Sequence, residues 1–190
     1  MWSAQLSSGE LIEAGQFVMA NGLQGYELLR QHGETVQLYG LKGYSLSIPL
    51  PANEAGPLAA APAAPSISLT DYERRIVYAR LGDIVRIAAM VDIGDSSTRI
   101  RPERIRHLKA EVKKTFPGLD VERAQAWAGD RPATPEGRPI ISRSRKLDNL
   151  WLNLGHGALG FTLACGSAVL LRALMQKSAA PIDAAPFAMR

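Results

Sequence analysis

Apolar and polar positions alternate in short runs through the first half of the chain, and the period then lengthens to that of a helix. Residues 2–6 and 11–12 flank Ser7-Ser8-Gly9, a turn signal that predicts a β-hairpin. Phe17-Val18-Met19-Ala20 reads as a short apolar strand ending at Asn21-Gly22. Over residues 23–31, Leu23, Tyr26 and Leu29 recur on roughly one side, as in a short helix. Strands at 36–39 and 45–49 bracket Gly40-Leu41-Lys42-Gly43-Tyr44. Residues 51–65 are rich in proline, alanine and glycine and read as an exposed loop. Further strands are expected at 67–69, 75–80 and 84–90, with a tight turn at Gly82-Asp83 between the last two. There Ile76, Tyr78 and Arg80 alternate with Val77 and Ala79, as suits an antiparallel sheet with one buried face.

In the second half, Arg101-Pro102-Glu103 starts a helix, with proline in the first turn and an acid at the positive end. Ile105, Leu108, Val112 and Phe116 form its apolar stripe, and Pro117-Gly118 stops it. Arg104, Arg106, Lys109, Glu111, Lys113 and Lys114 form its solvated face. Residues 121–127 return to strand. Residues 150–154 read as a buried strand, followed by the turn Gly155-His156-Gly157 and a long apolar helix opening at Gly160. The longest apolar run, 158–171, is shorter than a membrane span and is read as a buried helix with Cys165 in the core.

Composition narrows the class. With 190 residues, 46% of them hydrophobic and 21% charged, the chain fits one soluble domain of ordinary size. The net charge of +4 suits an anionic ligand, but the charges are scattered and not interleaved with aromatics, so no nucleic-acid partner is expected. One cysteine excludes an internal disulfide and fits a reducing cytoplasm, and three histidines without zinc spacing predict no metal.

Three blocks carry the chemistry. The first is Asn149-Leu-Trp-Leu-Asn-Leu-Gly-His-Gly-Ala-Leu-Gly160-Phe-Thr-Leu-Ala-Cys-Gly-Ser167. Its strand, glycine turn and helix start make an anion-binding corner from free backbone N–H groups and the positive dipole end. The second is Trp127-Ala-Gly-Asp-Arg131-Pro-Ala-Thr-Pro-Glu-Gly-Arg-Pro139, and the third is Leu41-Lys-Gly-Tyr-Ser-Leu46. In this order and spacing they resemble the C-terminal part of the flavin-dependent D-amino-acid dehydrogenases, within the D-amino-acid oxidase-like flavoprotein family.

That resemblance implies FAD, oxidative deamination of D-amino acids to 2-oxo acids and ammonia, and a quinone or other electron acceptor. It also implies a cytoplasmic enzyme, with the parent associated with the inner face of the membrane. It matches Gly129-Asp130-Arg131-Pro132 to the family's Gly-x-Arg-Pro block, which makes Arg131 the substrate-carboxylate residue. Tyr44 and Tyr78 are further catalytic candidates, and Tyr72 is weighed beside Tyr78. The cofactor candidates are Gly22, Lys42, Gly129, Gly155, His156, Gly157, Ala158, Leu159 and Gly160. The implied fold is α+β: a mostly antiparallel sheet with helices on one side, plus a C-terminal remnant of an FAD-binding Rossmann-like domain. Its parts are an FAD-domain fragment at 1–40, a substrate domain at 41–135, a second FAD segment at 136–178 and a tail at 179–190.

Departures from the family pattern are Gly40 for a frequent proline, Asp130 for an apolar residue and Leu154 for a threonine. The only Gly-x-Gly-x-x-Gly is 155–160, too near the C-terminus to open a βαβ unit with a ribose-binding acid beyond it. The chain is therefore expected to be the C-terminal half of a family member without the ADP-binding half, with exposed edges that favour self-association. The alternatives are a non-catalytic module and an oxidase of glycine, sarcosine or proline-like amines.

Overall fold

The computed structural model describes residues 2–51, 64–95, 97 and 99–189. The expected loop at 51–65 lies mostly outside the described residues. The chain divides into two compact units, Met1–Leu41 with Arg131–Arg190, and Lys42–Asp130.

In the first unit, strands β1 (Trp2–Gln5) and β2 (Leu11–Ala14) form the expected antiparallel hairpin. Strand β3 (Phe17–Met19) is followed by helix α1 (Gln24–Gln31). The expected strand at 36–39 does not form. Val36 is instead buried in an apolar cluster with Met19, Leu29, Leu150, Leu152 and Leu154.

Further along this unit lie β9 (Ile140–Arg143), β10 (Leu150–Leu154) and helix α3 (Gly160–Gln176). The sheet order is β3-β10-β9, with β3 parallel and β9 antiparallel to β10. Alternation along β10 serves both faces. Its leucines enter the cluster beside α1, while Trp151 packs toward Ile141, Leu170 and Leu171 on the α3 side. Burial of both faces explains the nearly continuous apolar run of β10.

Helix α3 corrects one expectation. Only Ser167, Leu170, Leu171 and Ala173 are buried, whereas Phe161 is 98% exposed and Cys165 is exposed. One face alone has a packing partner among the described residues, so the run is neither a buried helix nor a core site for Cys165. Counted with its leading turn, the helix spans Gly157–Gln176 and is long and apolar enough to cross a membrane by length and composition.

The second unit carries a five-stranded sheet. Strand β4 (Tyr39–Pro49) enters it without a break, although two glycines suggested one. Beside it run β5 (Leu69–Asp71), β6 (Ile76–Leu81), β7 (Ile84–Ile93) and β8 (Gln125–Ala133), in the order β5-β6-β7-β4-β8. The β5–β6 and β6–β7 pairs are antiparallel, and Gly82, at φ 63°, makes the turn between the latter two. Helix α2 (Pro102–Thr115) has Pro102 in its first turn, Glu103 at the positive end and Lys113 and Lys114 in its last turn. Its Leu108 and Val112 close the core formed by Leu46, Ile48, Ile76, Tyr78, Val85 and Ile87.

The expected 121–127 strand is split. Val121–Arg123 is a 3-10 turn capped by the Asp120 carboxylate, and the strand begins only at Gln125. In β7, Met90 has a left-handed backbone (φ 63°) that breaks the alternation. Ala89 and Asp92 are buried while Val91 is exposed, so an acid reaches the interior past the irregularity. The fold class is α+β with antiparallel pairing, as the sequence implied.

Candidate active site

In the first unit the corner forms at the end of β10. Gly155 (φ 81°) and Gly157 (φ 57°) both occupy left-handed backbone, which lets the chain turn twice within three residues. The turn Gly157–Leu159 leads straight into α3, and neither start carries a side-chain cap. The Leu159 N–H donates to the His156 carbonyl at 3.1 Å, and no side chain caps the N–H groups around it at the positive end of the helix. His156, Ala158, Leu159 and Gly160 are brought together here with the two glycines. A bridge between Ala133 and His156 ties the turn to the end of β8. Thr134 fixes the neighbouring turn by donating its hydroxyl to the Arg138 carbonyl at 2.7 Å.

The His156 ring lies 3.0 Å, through Nε2, from Ser167 Oγ, which joins the turn to α3. Burial lowers its pKa below the ordinary 6.5. An unfolded histidine takes up its proton before the folded one, so stability falls as pH drops below about 6.5. The His156→Gln variant should lose this part of the slope, as read by urea midpoints at about pH 7.5 and about pH 5.5. A slope identical to that of the native chain would remove His156 from this role.

Arg131 is half-buried. Its Nη1 is fully buried with no hydrogen-bond partner, and no carboxylate among the described residues pairs with it. Asp130 is exposed, in line with strand neighbours pointing to opposite faces, and does not form a pair with Arg131. Gly22 (φ 63°) ends β3 as a left-handed turn, and a Cβ there would meet the Pro132 ring at 3.6 Å. Around Arg138, part of the basic cluster pairs locally: Arg143 with Asp148 at 3.0 Å, and Arg145 with the Met189 carbonyl.

In the second unit three candidates prove structural. Lys42 is 1% exposed, and its ammonium donates to Asp95 at 3.1 Å, to the Ser97 carbonyl at 2.7 Å and hydroxyl at 3.2 Å, and to the Arg99 carbonyl at 2.6 Å. Its three donors are occupied, which leaves none for a cofactor. Tyr44 is buried and donates to Asp92 at 2.9 Å. Burial and that carboxylate push its pKa up to about 12, so it remains a donor to Asp92 and is not a base. Burial opposes ionisation of Asp92, yet donors from Tyr44 and Arg104 hold its carboxyl below the usual range.

Tyr78 sits in the core under α2, edge-on to Phe116 at 5.0 Å. Helix α2 packs over Tyr78, and Tyr44 is buried against Asp92. Tyr72 is exposed. Gly129 does have a steric role: a Cβ on it would lie 2.4 Å from the Trp127 ring. The sequence reading missed Arg86, whose guanidinium stacks 5.7 Å over Trp127. Asp92 was missed as well, and only the positive φ at Met90 makes it legible.

The family described as DAO, FAD dependent oxidoreductase, matches residues 1–174. The chain belongs to this family of FAD-dependent oxidoreductases. A DAO-family relative, "D-amino acid dehydrogenase 2" of Pseudomonas aeruginosa, is 48% identical over 176 residues, covering 92% of this chain and 40% of that protein. A protein of the same name from Ralstonia nicotianae is 45% identical over 188 residues, with 95% and 42% covered. The chain thus spans about two fifths of the length of these relatives.

Among solved DAO-like folds, glycine oxidase from Geobacillus kaustophilus aligns at TM-score 0.79 and 22% identity, covering 97% of this chain and 47% of that one. Iminodiacetate oxidase from Chelativorans sp. BNC1 aligns at 0.80 and 20%, covering 98% and 49%. The DAO family is FAD dependent, and two features of this chain suit an anionic group. One is the uncapped, left-handed corner at Gly155 and Gly157; the other is the orphaned donor on Arg131.

Proposed function

We propose that the protein carrying this chain oxidises D-amino acids with FAD, giving imino acids that hydrolyse to 2-oxo acids and ammonia. The observation that supports this most is Arg131, a guanidinium with one buried donor lacking a partner, in a chain 48% identical to a D-amino acid dehydrogenase. Bound FAD supplies the acceptor for the hydride that leaves the substrate Cα.

The chain's own residues act by placement. Arg131 takes the substrate carboxylate bidentately, which fixes its plane and limits the ligand to one orientation. The backbone donors that open α3 stabilise negative charge at the corner. His156, bound to Ser167 and disfavoured as a cation by burial, holds the turn in place and is not a base.

Electrons then pass to a quinone or another carrier. The reading extends to a cytoplasmic protein at the inner membrane face, and the edge of β3, which pairs only with β10 among the described residues, favours self-association together with the exposed apolar side of α3. Turnover with a dye acceptor tests the reaction. D-alanine should yield pyruvate and ammonia while L-alanine yields neither. Faster turnover of glycine or sarcosine than of any D-amino acid would move the protein to amine oxidation, and failure to retain flavin would favour a non-catalytic module.

A further inference from the structure

Ser167 lies inside α3 and is only 5% exposed. A buried hydroxyl needs a partner, and within a helix the usual one is a carbonyl of the preceding turn. Ser167 turns elsewhere. Its Oγ meets His156 Nε2 at 3.0 Å, the only hydrogen bond its hydroxyl makes among the described residues. His156 stands between Gly155 and Gly157, both in left-handed backbone and both without a side chain. Glycine leaves the backbone its greatest freedom, so the imidazole is the only side-chain anchor within this three-residue turn.

The backbone of His156 meets Ala133 in an antiparallel bridge. Ala133 is buried and ends β8, and Arg131 sits two residues before it on the same face of the strand. In an antiparallel pair, stepping back from Ala133 to Arg131 is stepping forward from His156 toward Ala158. Two strand residues span about 7 Å, so Arg131 stands that far from the bridge, on the side of the turn that opens α3. Hydroxyl, imidazole, bridge and guanidinium all belong to the first unit.

We propose that Ser167 is a positioning residue for substrate binding: it holds the His156 ring and, through the Ala133 bridge, sets the end of β8 that presents Arg131 to the substrate carboxylate. The inference rests on the D-amino-acid reading above. Ser167 acts through His156 alone, so the worth of one neutral hydrogen bond bounds its effect at roughly two- to tenfold in affinity.

Steady-state kinetics of the FAD-loaded protein with D-alanine supply the test. Ser167→Ala should raise KM roughly two- to tenfold while kcat and bound flavin stay as in the native protein. His156→Phe keeps a ring and removes both nitrogens, so it should raise KM by a similar factor. The double variant should be no worse than the weaker single one, because both substitutions remove the same bond. Ser167→Cys keeps the volume and weakens the bond, so its KM should fall between native and alanine; it decides the matter if the alanine variant does not fold. Unchanged KM, losses that multiply in the double variant, or loss of flavin in place of substrate affinity would overturn the proposal. Native turnover of D-alanine with no KM change in the variants sinks only the role of Ser167. No flavin reduction by any D-amino acid in the native protein sinks the reading beneath it.

Discussion

Replacing Arg131 with leucine is expected to lower kcat/KM for D-alanine by roughly 10²–10⁴, almost all of it through KM, with flavin retained. The magnitude follows from two charge-assisted hydrogen bonds of about 1.5–3 kcal/mol each. Arg131 is set for this loss because its Nη1 is buried without a partner and no described carboxylate competes for it. Leucine removes both donors but keeps an apolar body in a half-buried position. Arg131→Lys should fall between the two, since it keeps the charge and loses the fork. The check is steady-state kinetics beside a flavin absorption spectrum. Unchanged substrate kinetics in the leucine variant, with flavin bound, would remove Arg131 from the carboxylate site.

Gly155→Ala is expected to be the most destabilising single change at the corner, by about 2–5 kcal/mol, and to release flavin. Two costs add. A non-glycine residue in left-handed backbone costs about 1–2 kcal/mol, and φ at Gly155 is 81°. The new Cβ would also stand 2.6 Å from Thr134 Cγ2 and 3.3 Å from Leu38 Cδ1, and overpacking of that kind costs about 1–3 kcal/mol. Thr134 has little room to yield, since it is buried and its hydroxyl is tied to Arg138. Gly157→Ala supplies the control. It shares the left-handed backbone (φ 57°) but meets nothing within 4 Å, so only about 1–2 kcal/mol is expected. Urea midpoints of the two variants measure the difference, and equal losses would show that crowding at Gly155 contributes nothing.

Elements with local signals were legible in the sequence. The 2–14 hairpin, the β6–β7 turn at Gly82, the α2 stripe with its proline start, and the β10–turn–α3 block each declare themselves within a few residues. What remained hidden depends on distant partners. Strand β4 runs through Gly40 and Gly43 because sheet neighbours and the core behind it outweigh their local preference for a break. Strand β9 follows Pro139 inside a basic stretch, and it is a strand because β10 pairs with it.

The site divides along the same line. Glycines that need positive φ are visible as glycines, and Arg131 is visible through its flanking block. The side of the sheet that Lys42, Tyr44 and Tyr78 occupy is set by α2 and by the segment that leads into it. Their burial and their hydrogen-bond partners are therefore not visible from their sequence positions. Arg86 resembles any surface arginine until its stacking on Trp127 is seen.

The most direct measurement is an anaerobic titration of the FAD-loaded, gel-filtered protein with D-alanine, followed in the visible flavin band. The band should survive gel filtration, bleach with D-alanine and persist with L-alanine. A retained band that does not bleach with excess D-alanine or any other D-amino acid would contradict the assignment of this chain to D-amino-acid oxidation.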